Sequence, residues 1–310
     1  MLSRIADSLF WTRRYMERTD GMLRMLRINF ITSLDRAADF SWKPVLGMFT
    51  QLNAEQIAAI EHHSDAVLKY MICQRDNPNS IRNIIGRARE NARGMQDHVT
   101  KEVWESLNEY YHLMNGKEIE TAIDNQEQIL MLGNLINRGL LFFGICEVTM
   151  PRGAGWDYMN LGKFTERAIQ TVDILDVRFS QIDYDLNNPS DIPYWRNLLL
   201  SLSGYELYLK QYRGGLQSRN VADMAIFNPE FPRSILYCVT RLQRYLEDLH
   251  EKNQGESPVA QKQIGKLKAR LQFTEMEEIA EMGLHRFLDE IRRELYGFGD
   301  ALSRTYFAYY

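Results

Sequence analysis

The chain has 310 residues, 45% of them apolar and 25% charged, with a net charge of −4. That profile fits a globular protein of one large or two small domains. It excludes a broad basic field for nucleic acid or an anionic membrane. The richest apolar run, Gly139 to Ile145, is too short to span a bilayer. Ile5, Leu9, Met16, Leu23, Leu26 and Phe30 share one helical face and predict a first long helix. Ser80 reads as the N-cap of a helix running to about Val99. Lys101 to Met114 reads as the next helix, closed by Asn115-Gly116, and Glu118 to about Phe143 as a long one. Pro151 to Gly155 breaks the chain, and a further helix follows to about Phe179. Pro189 to Pro193 reads as a turn. Trp195 to Tyr212 reads as a helix ended by Arg213-Gly214-Gly215. Pro232 suits the first turn of a helix reaching about Lys252. Gly255 to Pro258 is a loop, and Ala260 to the C-terminus is helical with breaks near Gly283 and Gly297 to Gly299. No segment reads as a strand, so the fold class is all-α, a helical bundle.

Two phrases recur half a chain apart. Arg13-Arg14-Tyr15-Met16-Glu17-Arg18 is echoed 149 residues later by Gly162-Lys163-Phe164-Thr165-Glu166-Arg167. Asn77-Pro78 with Arg82 and Ile84-Ile85 is answered 151 residues later by Asn228-Pro229, Arg233 and Ile235-Leu236. The matched order and spacing point to an internal pseudo-twofold duplication, repeats of approximately 1–150 and 151–310 within a single helical domain. The three cysteines, Cys73, Cys146 and Cys238, are isolated in apolar surroundings and read as buried reduced thiols of a cytoplasmic protein. The N-terminus shows no signal-peptide core.

Adjacent helical residues point about 100° apart, so each Glu and Arg of the repeated phrase faces a different neighbour. One reading is structural, with each side chain clamping another helix. The other is an anion-binding cleft in which Arg14, Arg18, Lys163 and Arg167, beside Glu17 and Glu166, grip a carboxylate or phosphate between Trp11 and Trp156. Arg82 and Arg233, each just after Asn-Pro at a helix start, are secondary candidates for an anion, against the plainer reading of turn and cap. Two Glu-x-x-His units, Glu109 with His112 and Glu247 with His250, have the spacing of a di-iron bundle. His98, Glu102, Glu105 and Glu109 read as a solvated acidic face. Gly153-Ala154-Gly155 lacks the strand and the further glycines of a dinucleotide fingerprint, and no nucleophile motif stands out. No cofactor is expected. The aromatic tail, Tyr306 to Tyr310, reads as a docked helix end.

The same residues carry a family resemblance. Ala6-Asp7-Ser8-Leu9-Phe10-Trp11 running into Arg14-Tyr15-Met16-Glu17-Arg18 resembles the opening of the bacterial Alpha-E family, an all-helical domain named for its Glu-Arg motif. Asn77 to Arg82 with Ala88-Arg89-Glu90-Asn91-Ala92-Arg93, Gly155-Trp156 through Glu166-Arg167-Ala168, and Asn228 to Ser234 resemble its later blocks. Thr19-Asp20 departs from the Ala-Glu expected after the first Glu-Arg. The resemblance implies association with a circularly permuted ATP-grasp protein and a transglutaminase-like protein. It implies an accessory or substrate-binding component of a cytoplasmic peptide ligation or modification system; the charge and the apolar runs add the expectation of no nucleic acid and no membrane. The alternative is an enzyme using the paired Glu-Arg motifs, with or without a metal at the Glu-x-x-His units. The absence of a nucleophile constellation favours the non-catalytic reading.

Overall fold

The computed structural model describes residues 1–35, 40–187, 192–212, 215–252 and 254–307. Among these the chain is all-α, with sixteen α-helices and no strand. It divides into two compact units: an N-proximal unit, Trp11–Pro151, and a C-proximal unit made of Met1–Phe10 and Arg152–Tyr310.

Helix α1, Ser3–Asp35, begins in the C-proximal unit and runs on into the N-proximal one. The N-proximal unit continues with α2 (Lys43–Phe49), α3 (Ala54–Ile60) and α4 (Ser64–Ile72). These three short helices carry no strong periodicity. Pro44 starts α2, and a capping box between Asn53 and Gln56 starts α3. Helix α5 (Ile81–Arg93) is capped by Ser80, whose hydroxyl accepts from the Asn83 amide. It ends at Gly94, short of the expected Val99. Helix α6 (Lys101–Asn115) is capped by Thr100 and closes at Gly116, as the sequence predicted. The long helix expected from Glu118 is two, α7 (Glu118–Asp124) and α8 (Gln128–Thr149). Gln126 breaks it by adopting a left-handed backbone, φ 62°. Helix α6 packs on α5 and α8. Tyr110, fully buried on α6, anchors that packing by donating to the Leu135 carbonyl of α8.

Helix α8 corrects the expectation about apolar runs. It is long and apolar enough by length and composition to cross a membrane, and less than half of its most apolar stretch is buried. Leu130, Leu140, Leu141 and Val148 are exposed on it. Among the described residues it is the one helix of that kind.

The C-proximal unit is built around α9 (Ala154–Ser180), which is buried on nearly every side. It continues with α10 (Ile192–Ser201) and α11 (Tyr205–Gln211), which replace the single helix expected from Trp195 to Tyr212. Ser203 turns the chain between them with φ 57°. Then come α12 (Ser218–Phe227), α13 (Ile235–Glu251), α14 (Pro258–Phe273), α15 (Met276–Met282) and α16 (Leu284–Leu302). Pro232 lies outside α13, which Ser234 caps, and it is Pro258 that occupies a first turn. Gly283 breaks the chain with φ 93°. Gly297 and Gly299 do not: α16 runs through them, because Leu295, Phe298 and Leu302 are buried along its apolar face. Helices α13 and α16 flank α9, and α14 packs on both α13 and α16. The described part of the C-terminal tail is docked, with Tyr306 and Phe307 buried against Tyr158 and Phe10. The expected turn around Pro189, the helix stop at Arg213-Gly214 and the last three tail residues lie outside the described residues.

Candidate functional site

The two Glu-Arg phrases lie on the two longest helices, α1 and α9, and both glutamates are buried: Glu17 is 0% exposed and Glu166 3%. Polar residues bury beside them, Thr12, Arg13, Arg14, Thr19 and Asp20 on α1 and Asn160, Thr165, Gln170 and Thr171 on α9. Within the N-proximal unit the structure brings Trp11 and Arg14 together, the guanidinium 4.5 Å from the ring centroid. Arg13 lies 4.4 Å from the Phe143 ring. Within the C-proximal unit Lys163 and Arg167 flank Phe164, which also stacks on Tyr245. Trp156 is covered by the Arg152 guanidinium at 3.8 Å. Arg18 is half-buried on α1. Gly162, the counterpart of Arg13 in the second phrase, packs directly on the Phe10 carbonyl.

The Asn-Pro segments share a local design. Asn77 Oδ1 accepts from the Asn79 amide, and Asn228 Oδ1 accepts from the amides of Glu230 and Phe231. Each turn leads to a serine N-cap: Ser80 for α5, and Ser234 for α13 through the Tyr237 amide. The second segment takes three more residues to reach its serine, so Arg82 and Arg233, matched in sequence, occupy different places. Arg82 sits in the first turn of α5, and Arg233 lies buried before the cap of α13. Arg82 directs its guanidinium to groups of the protein itself. It donates to the carbonyls of Met114 (2.8 Å) and Cys73 (2.9 Å) and pairs with Glu120. It thereby ties together the ends of α4, α6 and α7. In the C-proximal unit Arg167 donates to the Pro232 carbonyl at 3.2 Å, and the Thr171 hydroxyl to the Arg233 carbonyl at 2.8 Å. The second Glu-Arg helix is thus laced to the second Asn-Pro segment.

The N-proximal segment borders a cleft of about 840 Å³. Its walls are Tyr15 of α1, the turn Arg75, Asp76 and Pro78, the polar face of α5 (Arg82, Asn83, Gly86, Arg87, Glu90, Asn91), and Tyr111 and Asn115 of α6. Asn83 pins the turn by donating to the carbonyls of Arg75 and Asn77. Glu90 is held by Arg89 and Arg93, both at 2.7 Å. The Arg89 guanidinium covers the Tyr111 ring at 4.6 Å. Arg75, Arg87, Asn91 and Asn115 were missed as site residues. The signal was present: Asn83, Arg87 and Asn91 recur every fourth residue, opposite the buried Ile81, Ile84, Ile85, Ala88 and Ala92.

Two charged clusters stand apart in the C-proximal unit. Asp157 in the first turn of α9 is 1% exposed. Burial pushes its carboxyl up to about 6, although Lys252 pairs with one oxygen. Its other oxygen, Oδ1, is buried without a hydrogen-bond partner among the described residues. Further along α9, Asp173 and Asp176 both accept from Arg292 of α16, at 2.9 and 2.7 Å. Burial raises Asp173. For Asp176 burial is outweighed by hydrogen bonds from His285, Arg292 and Tyr184, and its carboxyl is lowered.

No three His, Cys, Asp or Glu side chains gather as a metal site among the described residues. Glu109 pairs with Arg138, Glu247 accepts from Gln243, His250 pairs with Glu256, and His112 is exposed in the last turn of α6. His98, Glu102 and Glu105 are likewise exposed. All three cysteines are buried free thiols, and burial pushes Cys73 up to about 11.

The Alpha-E family, described as a predicted alpha-helical domain with a conserved ER motif, matches residues 1–307. An uncharacterized protein of Mycobacterium bovis is 22% identical over 336 aligned residues, covering 98% of this chain and 37% of its own length. Uncharacterized proteins of two Mycobacterium tuberculosis strains match over the same extent at 22% and 21% identity. The chain therefore spans little more than a third of these relatives. No solved structure matches it.

Proposed function

The chain belongs to the Alpha-E family, and on that premise we propose that it is a binding component of a peptide ligation or modification system and not itself the catalyst. It holds a peptide substrate for a circularly permuted ATP-grasp partner, with a transglutaminase-like protein as a further member, in a cytoplasmic setting. The observation that carries this reading is the cleft in the N-proximal unit. Its lining of arginines, asparagines and tyrosines supplies groups that grip and orient, with no serine, cysteine or histidine among them to attack a substrate. The exposed apolar face of α8 supports a protein partner, since exposed apolar surface of this kind marks interaction surfaces. The relatives carry the matched segment within much longer chains, which supports a domain that works beside others. The two units also read as products of an internal duplication, supported by the shared asparagine turn and serine cap.

The test is co-expression with a circularly permuted ATP-grasp protein from the same organism. A stable complex on size-exclusion chromatography, with faster ATP-dependent ligation of a peptide, is the expected result. No complex and an unchanged ligation rate would overturn the reading.

A further inference from the structure

The cleft of the N-proximal unit has a specific charge pattern. Its three lining cations are all arginines, yet Arg82 spends its donors on Met114, Cys73 and Glu120. Its side chain is only 10% exposed, so it forms a fixed wall. The negative charge of Glu90 is answered by Arg89 and Arg93. Arg75 and Arg87 remain: both are exposed, both line the cleft, and neither guanidinium has a hydrogen bond or ion pair among the described residues. Asp76 lines the same cleft and follows Arg75 on the pinned turn. Asn83 and Asn115 use their amide N–H groups on backbone carbonyls, which leaves their side-chain oxygens as acceptors.

We propose that this cleft is a carboxylate-recognition site for an acidic peptide, with Arg75 and Arg87 as the cations that grip the carboxylate. Guanidinium forks match a carboxylate in two parallel hydrogen bonds. The lining carries one net positive charge, which suits a monoanion better than a doubly charged phosphate. Asp76 and the side-chain oxygens of Asn83 and Asn115 accept from the N–H groups of the peptide. The phenol rings of Tyr15 and Tyr111 supply the aromatic walls of the cleft.

This inference rests on the reading of the chain as a binding component, but its test needs no partner. Calorimetric titration of the intact chain with triglutamate, C-terminally amidated triglutamine and inorganic phosphate distinguishes the ligand classes. Triglutamate is expected to bind, the amidated triglutamine not to bind, and phosphate to bind at least tenfold more weakly than triglutamate. Arg75→Gln and Arg87→Gln are each expected to weaken triglutamate at least tenfold, while the exposed Arg138→Gln leaves it unchanged. Thermal melts of all variants check that the fold is intact. Phosphate binding as tight as triglutamate, triglutamate binding undiminished in either arginine variant, or no triglutamate binding would each overturn the proposal. Peptide binding without complex formation would sink only the partner assignment, and a complex without peptide binding would sink only this inference.

Discussion

The Asn-Pro segments of the two units share a design and become different objects. In both, an asparagine side chain closes a turn and a serine caps the next helix. In the C-proximal unit three extra residues fill the space that follows. Phe231 is buried so tightly against Gly204 that a Cβ there would collide with its ring. The carbonyls of Pro232 and Arg233 are taken by Arg167 and Thr171. In the N-proximal unit the turn is shorter, and Arg75, Asp76 and Pro78 face an open cleft. The difference teaches that the segment is first a device for starting a helix. A cleft remains where the packing around that device is left incomplete.

The largest expected effect tests how tightly the C-proximal unit is closed. A methyl at Gly162 would strike the backbone carbonyl of Phe10, which has no rotamer to escape into. Gly162→Ala is expected to cost about 3 kcal/mol in denaturant unfolding, at the upper end for overpacking. A loss below 1 kcal/mol would show that the contact relaxes freely and that this unit is no more closed than the other.

Asp157 gives the next largest effect, and a sign that can be checked. Its folded carboxyl stands near 6 against 3.8 for the ordinary group. A folded state that holds its proton more tightly is most stable below about pH 4 and loses stability as pH rises through 6. Asp157→Asn removes that slope. The variant is expected to gain about 2 kcal/mol on the wild type between pH 4 and 7, somewhat less than the full two-unit difference. A stability difference independent of pH would break the prediction.

Arg82 should show the N-proximal counterpart. Arg82→Gln frees the Met114 and Cys73 carbonyls at the ends of α6 and α4. A loss of about 1.5 kcal/mol is expected, with faster hydrogen exchange confined to the N-proximal unit. Exchange that rises equally in both units would contradict the role of Arg82 as a local tie.

The sequence made the helices legible wherever a capping or terminating residue punctuates them. Ser80 and Gly116 were readable because their roles follow from local chemistry. The breaks at Gln126 and Ser203 were not, because each is an ordinary residue held at positive φ by its surroundings. Gly297 and Gly299 misled in the opposite direction, since burial of their neighbours overrides their weak propensity. At the candidate site, the repeated Glu-Arg phrase drew attention to two buried glutamates and to the half-buried Arg18, Lys163 and Arg167 on long helices. The cleft on the polar face of α5 is a separate feature that the phrase did not point to. Arg82 was singled out for its place at a helix start, but which carbonyls it reaches depends on helices brought near by tertiary packing. That information is absent from local spacing.

The smallest expected effect, a difference between two serine caps, separates the two units most directly. Ser80 and Ser234 cap their helices alike, each accepting from the amide three residues on. Ser234 does more: its hydroxyl also donates to the Asn228 carbonyl and so ties the cap to the turn. Ser80→Ala should lose only a cap, about 1 kcal/mol. Ser234→Ala should lose the cap and a buried hydrogen bond, about 1 kcal/mol more. Because the serines sit in separate units and share no partner, the double substitution should equal the sum of the singles. Equal costs for the two singles would mean that the extra bond contributes nothing, and the contrast between a filled and an open segment would then rest on Phe231 and on the carbonyls held by Arg167 and Thr171.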